Sequence, residues 1–376
     1  MHQAYLDSSA TTPVCPQAVE AAVRMMTGCF GNPSSLHTLG VEAEKELSAA
    51  REAVGRLIGA DPARLVFTSG GTESNNLAIL GGAAARIRQG RHAVTSAVEH
   101  ASVAAAFDRL EQEGWTVERI RPDPDGTLPA ERVANACRED TTLVSVMLVN
   151  NETGARHPVE SLVPLIRKAS PRALIHTDAV QAAGRIPFSA ERMGVDLMTV
   201  SGHKLHAPKG VGALYIRRGV RILPRQIGGG QEGGLRSGTE AAPAIAAFGA
   251  AAAAVPPYRE QETLYRALRE RLIASLSSLA VFHLPPEGVP YIVSLSLPGL
   301  RSETLLHFLA ERGVYVSGGS ACSKGKRSPV LTAMGLPSRE IDSALRVSFS
   351  WDNTPDEVDR LADALHLANR TLVRRS

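Results

Sequence analysis

Cysteine is scarce in this chain of 376 residues, and its four copies stand far apart, at Cys15, Cys29, Cys137 and Cys322. No CxxC pair occurs, which argues against a disulfide framework and makes a reducing cytoplasm the expected setting. Charge of one sign is also missing. The 41 basic residues face 38 acidic ones, a formal net charge of +3. No basic stripe of the kind that grips a phosphate backbone stands out, so direct nucleic-acid binding is not expected. Long apolar runs are absent as well. The small-residue stretch from Ala241 to Val255, with Pro243 near its start, reads as a helix and not as a membrane span. The opening MHQAYLDSSATTP has no basic flank leading into an apolar core, so no secretory signal is expected.

What is present is ordinary in amount and ordered in pattern. Hydrophobic residues make up 44% and charged residues 21%, the balance of a soluble globular protein. The length exceeds one common core and predicts a large domain with a smaller one. Short apolar runs at Leu65–Thr68, Ala93–Ala97, Val117–Ile120, Leu143–Val149, Leu174–Thr177, Leu197–Val200 and Gly212–Ile216 alternate with helical patterns. Several are apolar on both faces, as strands of a covered, mostly parallel sheet must be. The spacing therefore predicts an α/β domain with seven strands over residues 13–255. A boundary falls near Val255-Pro256-Pro257. Beyond it a helix from Tyr258 to about Leu279, strands at Tyr291–Leu297, Val314–Ser317 and Ala344–Phe349, and a helix from Asp356 to about Val373 predict a smaller α+β domain. That domain takes in residues 1–12 and 256–376.

Ligands of open α/β sheets bind beyond the carboxyl ends of the strands. There the polar residues gather: His100, Asn150 and Asn151, Asp178 and Gln181, His203 and Lys204. Thr68-Ser69-Gly70-Gly71-Thr72-Glu73-Ser74 reads as a turn into a helix, whose N–H groups suit an anion; an ordinary glycine turn with an N-cap is equally open. Lys204, in Ser201-Gly202-His203-Lys204, has the setting for a Schiff base with an aldehyde cofactor, although most lysines are solvated. Asp178 suits a pyridinium nitrogen, or else a helix cap. His100 suits a flat ring and proton movement, or else a core hydrogen bond. Cys322 lies among small residues and lysines, where Lys324 and Lys326 favour its thiolate; an incidental loop cysteine is the alternative. Arg346, inside a strand pattern, needs an anionic partner, either a substrate carboxylate or a structural acid.

Taken together, these segments resemble the cysteine desulfurases, in the branch that serves iron–sulfur cluster assembly and tRNA thiolation. The likeness runs from Leu6-Asp7-Ser8-Ser9-Ala10-Thr11-Thr12-Pro13 through Gly31–His37, Thr68–Asn76, Glu99-His100, Val149–Gly154, His176–Gln181, Ser201–Lys204 and Gly228–Thr239 to Ser317–Cys322. The resemblance implies a fold-type I homodimer dependent on pyridoxal 5'-phosphate. It implies that Lys204 holds the cofactor, His100 stacks on its ring, and Asp178 and Gln181 meet the ring nitrogen and ring hydroxyl. Gly71, Thr72, Ser201 and His203 hold the phosphate, and Thr239 reaches the phosphate in the partner subunit. Asn150 and Arg346 bind the substrate, L-cysteine. Cys322 takes its sulfur as a persulfide and passes it to an acceptor protein. A selenocysteine lyase or another class V enzyme is the rival reading. Three features depart from the family pattern. The stretch after Cys322 is short and basic, glycine fills the Gly228–Gly234 segment where many relatives carry an arginine, and the chain closes soon after Arg346 on a basic tail.

Overall fold

A computed structural model describes residues 3–318 and 327–373. Its strands, in chain order, are β1 (Ala4–Tyr5), β2 (Leu65–Thr68), β3 (His92–Ser96), β4 (Thr116–Ile120), β5 (Thr141–Ser145), β6 (Leu174–Asp178), β7 (Leu197–Ser201) and β8 (Gly212–Ile216), followed by β9 (Val281–His283), β10 (Ile292–Ser296), β11 (Val314–Tyr315), β12 (Ser317–Gly318) and β13 (Ala344–Ser348). Every residue of β2, β3, β5, β6, β7 and β8 is buried. Side chains alternate between the faces of a strand, so such strands need cover on both sides. Val94, Val144, Ile175 and Met198 enter one apolar core, while their neighbours Ala93, Leu143, Leu174 and Leu197 enter a second.

The seven strands lie in the order β2-β8-β7-β6-β5-β3-β4. Neighbours are parallel from β4 to β7, and β8 is antiparallel to both β7 and β2. The carboxyl ends of β2, β3, β5, β6 and β7 thus open on one edge. One face is covered by helices Pro16–Thr27, Thr38–Ile58 and Ala242–Ala253. The last is the predicted small-residue helix. A Cβ on its Gly249 would lie 2.4 Å from the Cα of Ala50, so only glycine allows that crossing.

A four-stranded antiparallel sheet, β12-β13-β10-β9, follows in the C-terminal third. The predicted run Val314–Ser317 divides between two sheets. β11 pairs in parallel with β1, whereas β12 pairs with β13. The short edge strand β9 was not foreseen. The run Leu143–Val149 also stops early as a strand, at Ser145. Its backbone there turns from β3 to a side chain: Met147 N donates to Glu99 Oε1 at 2.9 Å. Among the described residues no helix is long and apolar enough to cross a membrane.

Candidate active site

A cleft of about 860 Å³ lies over the carboxyl edge of the large sheet. It is lined by Gly71, Thr72, His100, Asp178, Gln181, Ser201, His203, Lys204 and Arg346, all singled out in the sequence. The N-terminal segment closes one wall, with Ser9 and Ala10.

Lys204 follows β7 in a short 3-10 turn. Its Nζ donates to the carbonyls of Ser9 at 2.6 Å and Ala10 at 2.5 Å. Burial pushes this amine down to about 7, helped by the positive charges of Arg346 and Arg185 and opposed by Asp7 and Asp178. A lysine near neutrality is half free amine, the form that attacks an aldehyde. His203 is held well down, at about 4, first by burial and then by Lys204.

Asp178 ends β6 and is only 4% exposed. Its Oδ1 accepts from Val180 N at 2.9 Å and its Oδ2 from Asn75 Nδ2 at 2.8 Å. Gln181, just after it, donates from Nε2 to Ser9 O at 3.0 Å. His100 caps helix Ala101–Gln112, its Nδ1 accepting from Ser102 N at 3.2 Å.

The buried polar atoms of this cleft are under-satisfied. Gln181 Oε1, Ser201 Oγ, Arg346 Nε and Glu99 Oε2 are all buried without a hydrogen-bond partner among the described residues. Native interiors rarely leave such groups unpaired, and here they lie together where a bound group can hydrogen-bond to them. Gly71 adds a close approach, since a Cβ there would lie 3.1 Å from Val180 Cγ2. A ring with a basic nitrogen, a hydroxyl, an aldehyde and a phosphate matches this donor set. Ser201 lies beside the turn at Gly71, and Asp178 and Gln181 line the same cleft.

Arg346, on β13, is 1% exposed and meets one of its two anticipated kinds of partner, a structural acid. Its Nη2 donates to Asp7 Oδ1 at 2.8 Å and its Nη1 to Asn151 O at 2.9 Å, so a structural acid already holds it at the cleft wall. Asp7 also accepts from Ser317 Oγ at 2.8 Å.

Asn150 departs from its expected place. Its Oδ1 accepts from the N–H groups of Glu152 and Thr153, each at 2.9 Å, and its Nδ2 donates to Val98 O at 2.9 Å. The amide is consumed in shaping its own turn, and Asn151, not Asn150, lines the cleft. Thr239 is exposed and lies outside the cleft lining of its own chain. Cys322, with Lys324 and Lys326, lies outside the described residues.

Sequence reasoning passed over several residues. Glu99 lines the cleft fully buried, and burial pushes its carboxyl up to about 8 against bonds from Ser96 and Met147. Glu152 is pushed up to about 7 by burial and accepts from Ser328 Oγ at 2.5 Å. Asp7, Asn75 and Glu152 lie inside the Leu6–Pro13, Thr68–Asn76 and Val149–Gly154 segments that carry the resemblance, which gave none of them a role.

Comparison with known proteins agrees with this geometry. The family model for aminotransferase class-V matches residues 4–361. A "Cysteine desulfurase IscS" of Methanosarcina thermophila is 39% identical over 96% of this chain and 90% of its own length. A "NifS/IcsS protein homolog" of Lactobacillus delbrueckii subsp. bulgaricus is 41% identical over 96% and 95%. Among solved structures, a NifS-like protein superposes with a TM-score of 0.94 at 36% identity, covering 99% of this chain and all (100%) of that one. SspA, solved in complex with cysteine, gives 0.82 at 31% identity over 93% and 99%.

Proposed function

Because the chain belongs to the class V aminotransferases, and within them to the cysteine desulfurases, we propose that its cleft converts L-cysteine to L-alanine and leaves the sulfur as a persulfide on Cys322. The family is dependent on pyridoxal 5'-phosphate, which, when bound, supplies an electron-poor ring that accepts negative charge from the substrate α-carbon. The observation that carries the reading is Lys204, part-buried in the cleft with its Nζ on the Ser9 and Ala10 carbonyls, among unpaired groups suited to that cofactor.

Each residue then has a task. Lys204 holds the cofactor, and its Nζ takes the substrate α-proton once displaced. Asp178 faces the ring nitrogen and Gln181 the ring hydroxyl. Gly71, Thr72, Ser201 and His203 hold the phosphate. His100 lies on the ring and passes protons at Nε2, since Nδ1 is occupied by Ser102. Arg346 takes the substrate carboxylate, sharing its charge with Asp7. The thiolate of Cys322 attacks the substrate sulfur. An S–S bond forms, the C–S bond breaks, and its electron pair stays with the carbon, which takes a proton and leaves as alanine.

The persulfide passes to an acceptor protein for iron–sulfur assembly or for thiolation of tRNA or cofactors. Free thiols at Cys15, Cys29 and Cys137 suit a reducing cytoplasm. A homodimer is supported by Val19, Val23 and Met26, which stand exposed along one side of helix Pro16–Thr27, with Phe30 and Leu36 beyond. Exposed Thr239 is then free to reach the partner's cleft. We take residues 13–255 as the cofactor domain and residues 1–12 with 256–376 as the smaller one, with the Cys322 loop at about 317–330. The pairing of β1 with β11 supports joining the two chain ends.

The test uses purified protein with its Lys204→Ala and Cys322→Ala variants, supplied with L-cysteine and a reductant. Equal yields of alanine and sulfide, lost in both variants, are expected. Full activity in Cys322→Ala would overturn the persulfide step, and a wild type that makes no alanine would overturn the reaction.

A further inference from the structure

Asp178 and His100 come from different strand ends, β6 and β3, yet one side chain ties them together. Asn75 lies on the first turns after β2, is 1% exposed, and lines the cleft. Its Nδ2 spends both hydrogens. One goes to Asp178 Oδ2 at 2.8 Å and the other to Ser102 Oγ at 2.9 Å. The orientation of the amide follows from chemistry. An ionised carboxylate only accepts, so the nitrogen and not the oxygen must face Asp178. Asn75 Oδ1 is left buried and unpaired among the described residues.

The direction then propagates. Ser102 Oγ already accepts from Asn75, so its own hydrogen is free for His100 Nδ1, 2.8 Å away. That same Nδ1 accepts from Ser102 N. Two donors aimed at Nδ1 make it an acceptor, and the neutral imidazole must carry its proton on Nε2. A single amide group thus holds the carboxylate and also the hydroxyl that meets His100 Nδ1, while the Ser102 N–H makes that nitrogen an acceptor.

We propose that Asn75 is a positioning residue for the cofactor, setting Asp178 towards the ring nitrogen and, through the Ser102 hydroxyl, steadying His100. The proposal rests on the cofactor roles given above to Asp178 and His100. It goes beyond them in making those roles depend on one residue, which bonds Asp178 directly and reaches His100 through Ser102. Hydrogen bonds to charged groups are stronger than neutral ones. Loss of the Asp178 arm therefore weakens the cofactor site, and loss of the Ser102 arm leaves the hydroxyl at His100 Nδ1 less firmly held.

The experiment compares Asn75→Ala, Asn75→Ser, Ser102→Ala and Asn75→Ala/Ser102→Ala with wild type, all as holoenzymes. The readouts are the dissociation constant for pyridoxal 5'-phosphate, the pH titration of the bound cofactor's visible band, and kcat and KM separately. Asn75→Ala is expected to weaken cofactor binding about tenfold or more, to move the band's titration, and to lower kcat. Ser102→Ala is expected to lower kcat while leaving cofactor affinity within about twofold, because the Asp178 arm survives. The double variant should be no worse in kcat than Asn75→Ala, since both cut the same path to His100. Asn75→Ser, with one hydroxyl hydrogen, can serve one arm at most and should fall between, which keeps the test open if the alanine variant does not fold. An Asn75→Ala protein with wild-type affinity, titration and kcat would overturn the role of Asn75, as would strictly additive losses in the double variant. A wild type that takes up no pyridoxal 5'-phosphate would instead overturn the cofactor reading beneath it.

Discussion

The free apoprotein should capture its cofactor with a pH dependence set by Lys204. An ordinary lysine titrates at 10.5, and this one at about 7, chiefly because burial disfavours the ammonium. At pH 7 about half of Lys204 is free amine, against roughly one part in 3,000 for a solvated lysine. The capture rate should climb about tenfold per pH unit below the midpoint and level off above it. Arg346 supplies the next largest push, so Arg346→Gln should move the midpoint upwards. Two effects agree in sign there: a repelling cation is lost, and Asp7, freed of its partner at 2.8 Å, attracts the ammonium more strongly. The assay is stopped-flow growth of the yellow absorbance on mixing apoprotein with pyridoxal 5'-phosphate, in amine-free buffers. A midpoint near 10 in the wild type would refute the reasoning, and so would a midpoint in Arg346→Gln that stays put or falls.

Three further outcomes follow from the same contacts. Asp7→Asn strips Arg346 of its buried counter-charge and should lower unfolding stability by about 3 kcal/mol, with L-cysteine restoring part of it in a thermal melt. Glu99 is pushed up from 4.5 to about 8, so the folded protein holds a proton that the unfolded chain has lost, and this group's contribution falls as pH rises across that window. Glu99→Gln keeps an acceptor for Ser96 and Met147 and should flatten that fall, read as urea midpoints at pH 5 and pH 8. Gly71→Ala would bring a methyl to 3.1 Å from Val180 Cγ2 and should weaken cofactor binding more than it slows turnover at saturation, measured by cofactor titration.

Much of the sheet could be read from the chain because its signal is local. β6 to β8 fall within a residue of the predicted runs, and all three are buried on both faces. The exception, the run through Val149, is instructive. Its residues stay buried and apolar, yet the backbone partner changes from β3 to the Glu99 carboxylate, and apolar character carries no record of that exchange. The same limit applies in the cleft. Lys204, Asp178 and Gln181 were legible as polar residues at strand ends. Their partners were not, because Ser9 meets Lys204 across 195 positions and Asn75 meets Asp178 across 103. The local bonds of Asn150 were hidden for the converse reason: an asparagine in a turn can satisfy itself locally, and the sequence looks the same whether or not it does.

The opening residues carry a consequence for how the molecule is made. Asp7 bonds across 339 positions to Arg346 and across 310 to Ser317, and β1 completes its ladder only with Val314 and Tyr315. Contacts so distant in sequence are slow to close, so the clasp from Asp7 to Arg346 is expected to form after the more local pairings of the large sheet, and refolding should protect that sheet before it fixes the wall beside Lys204.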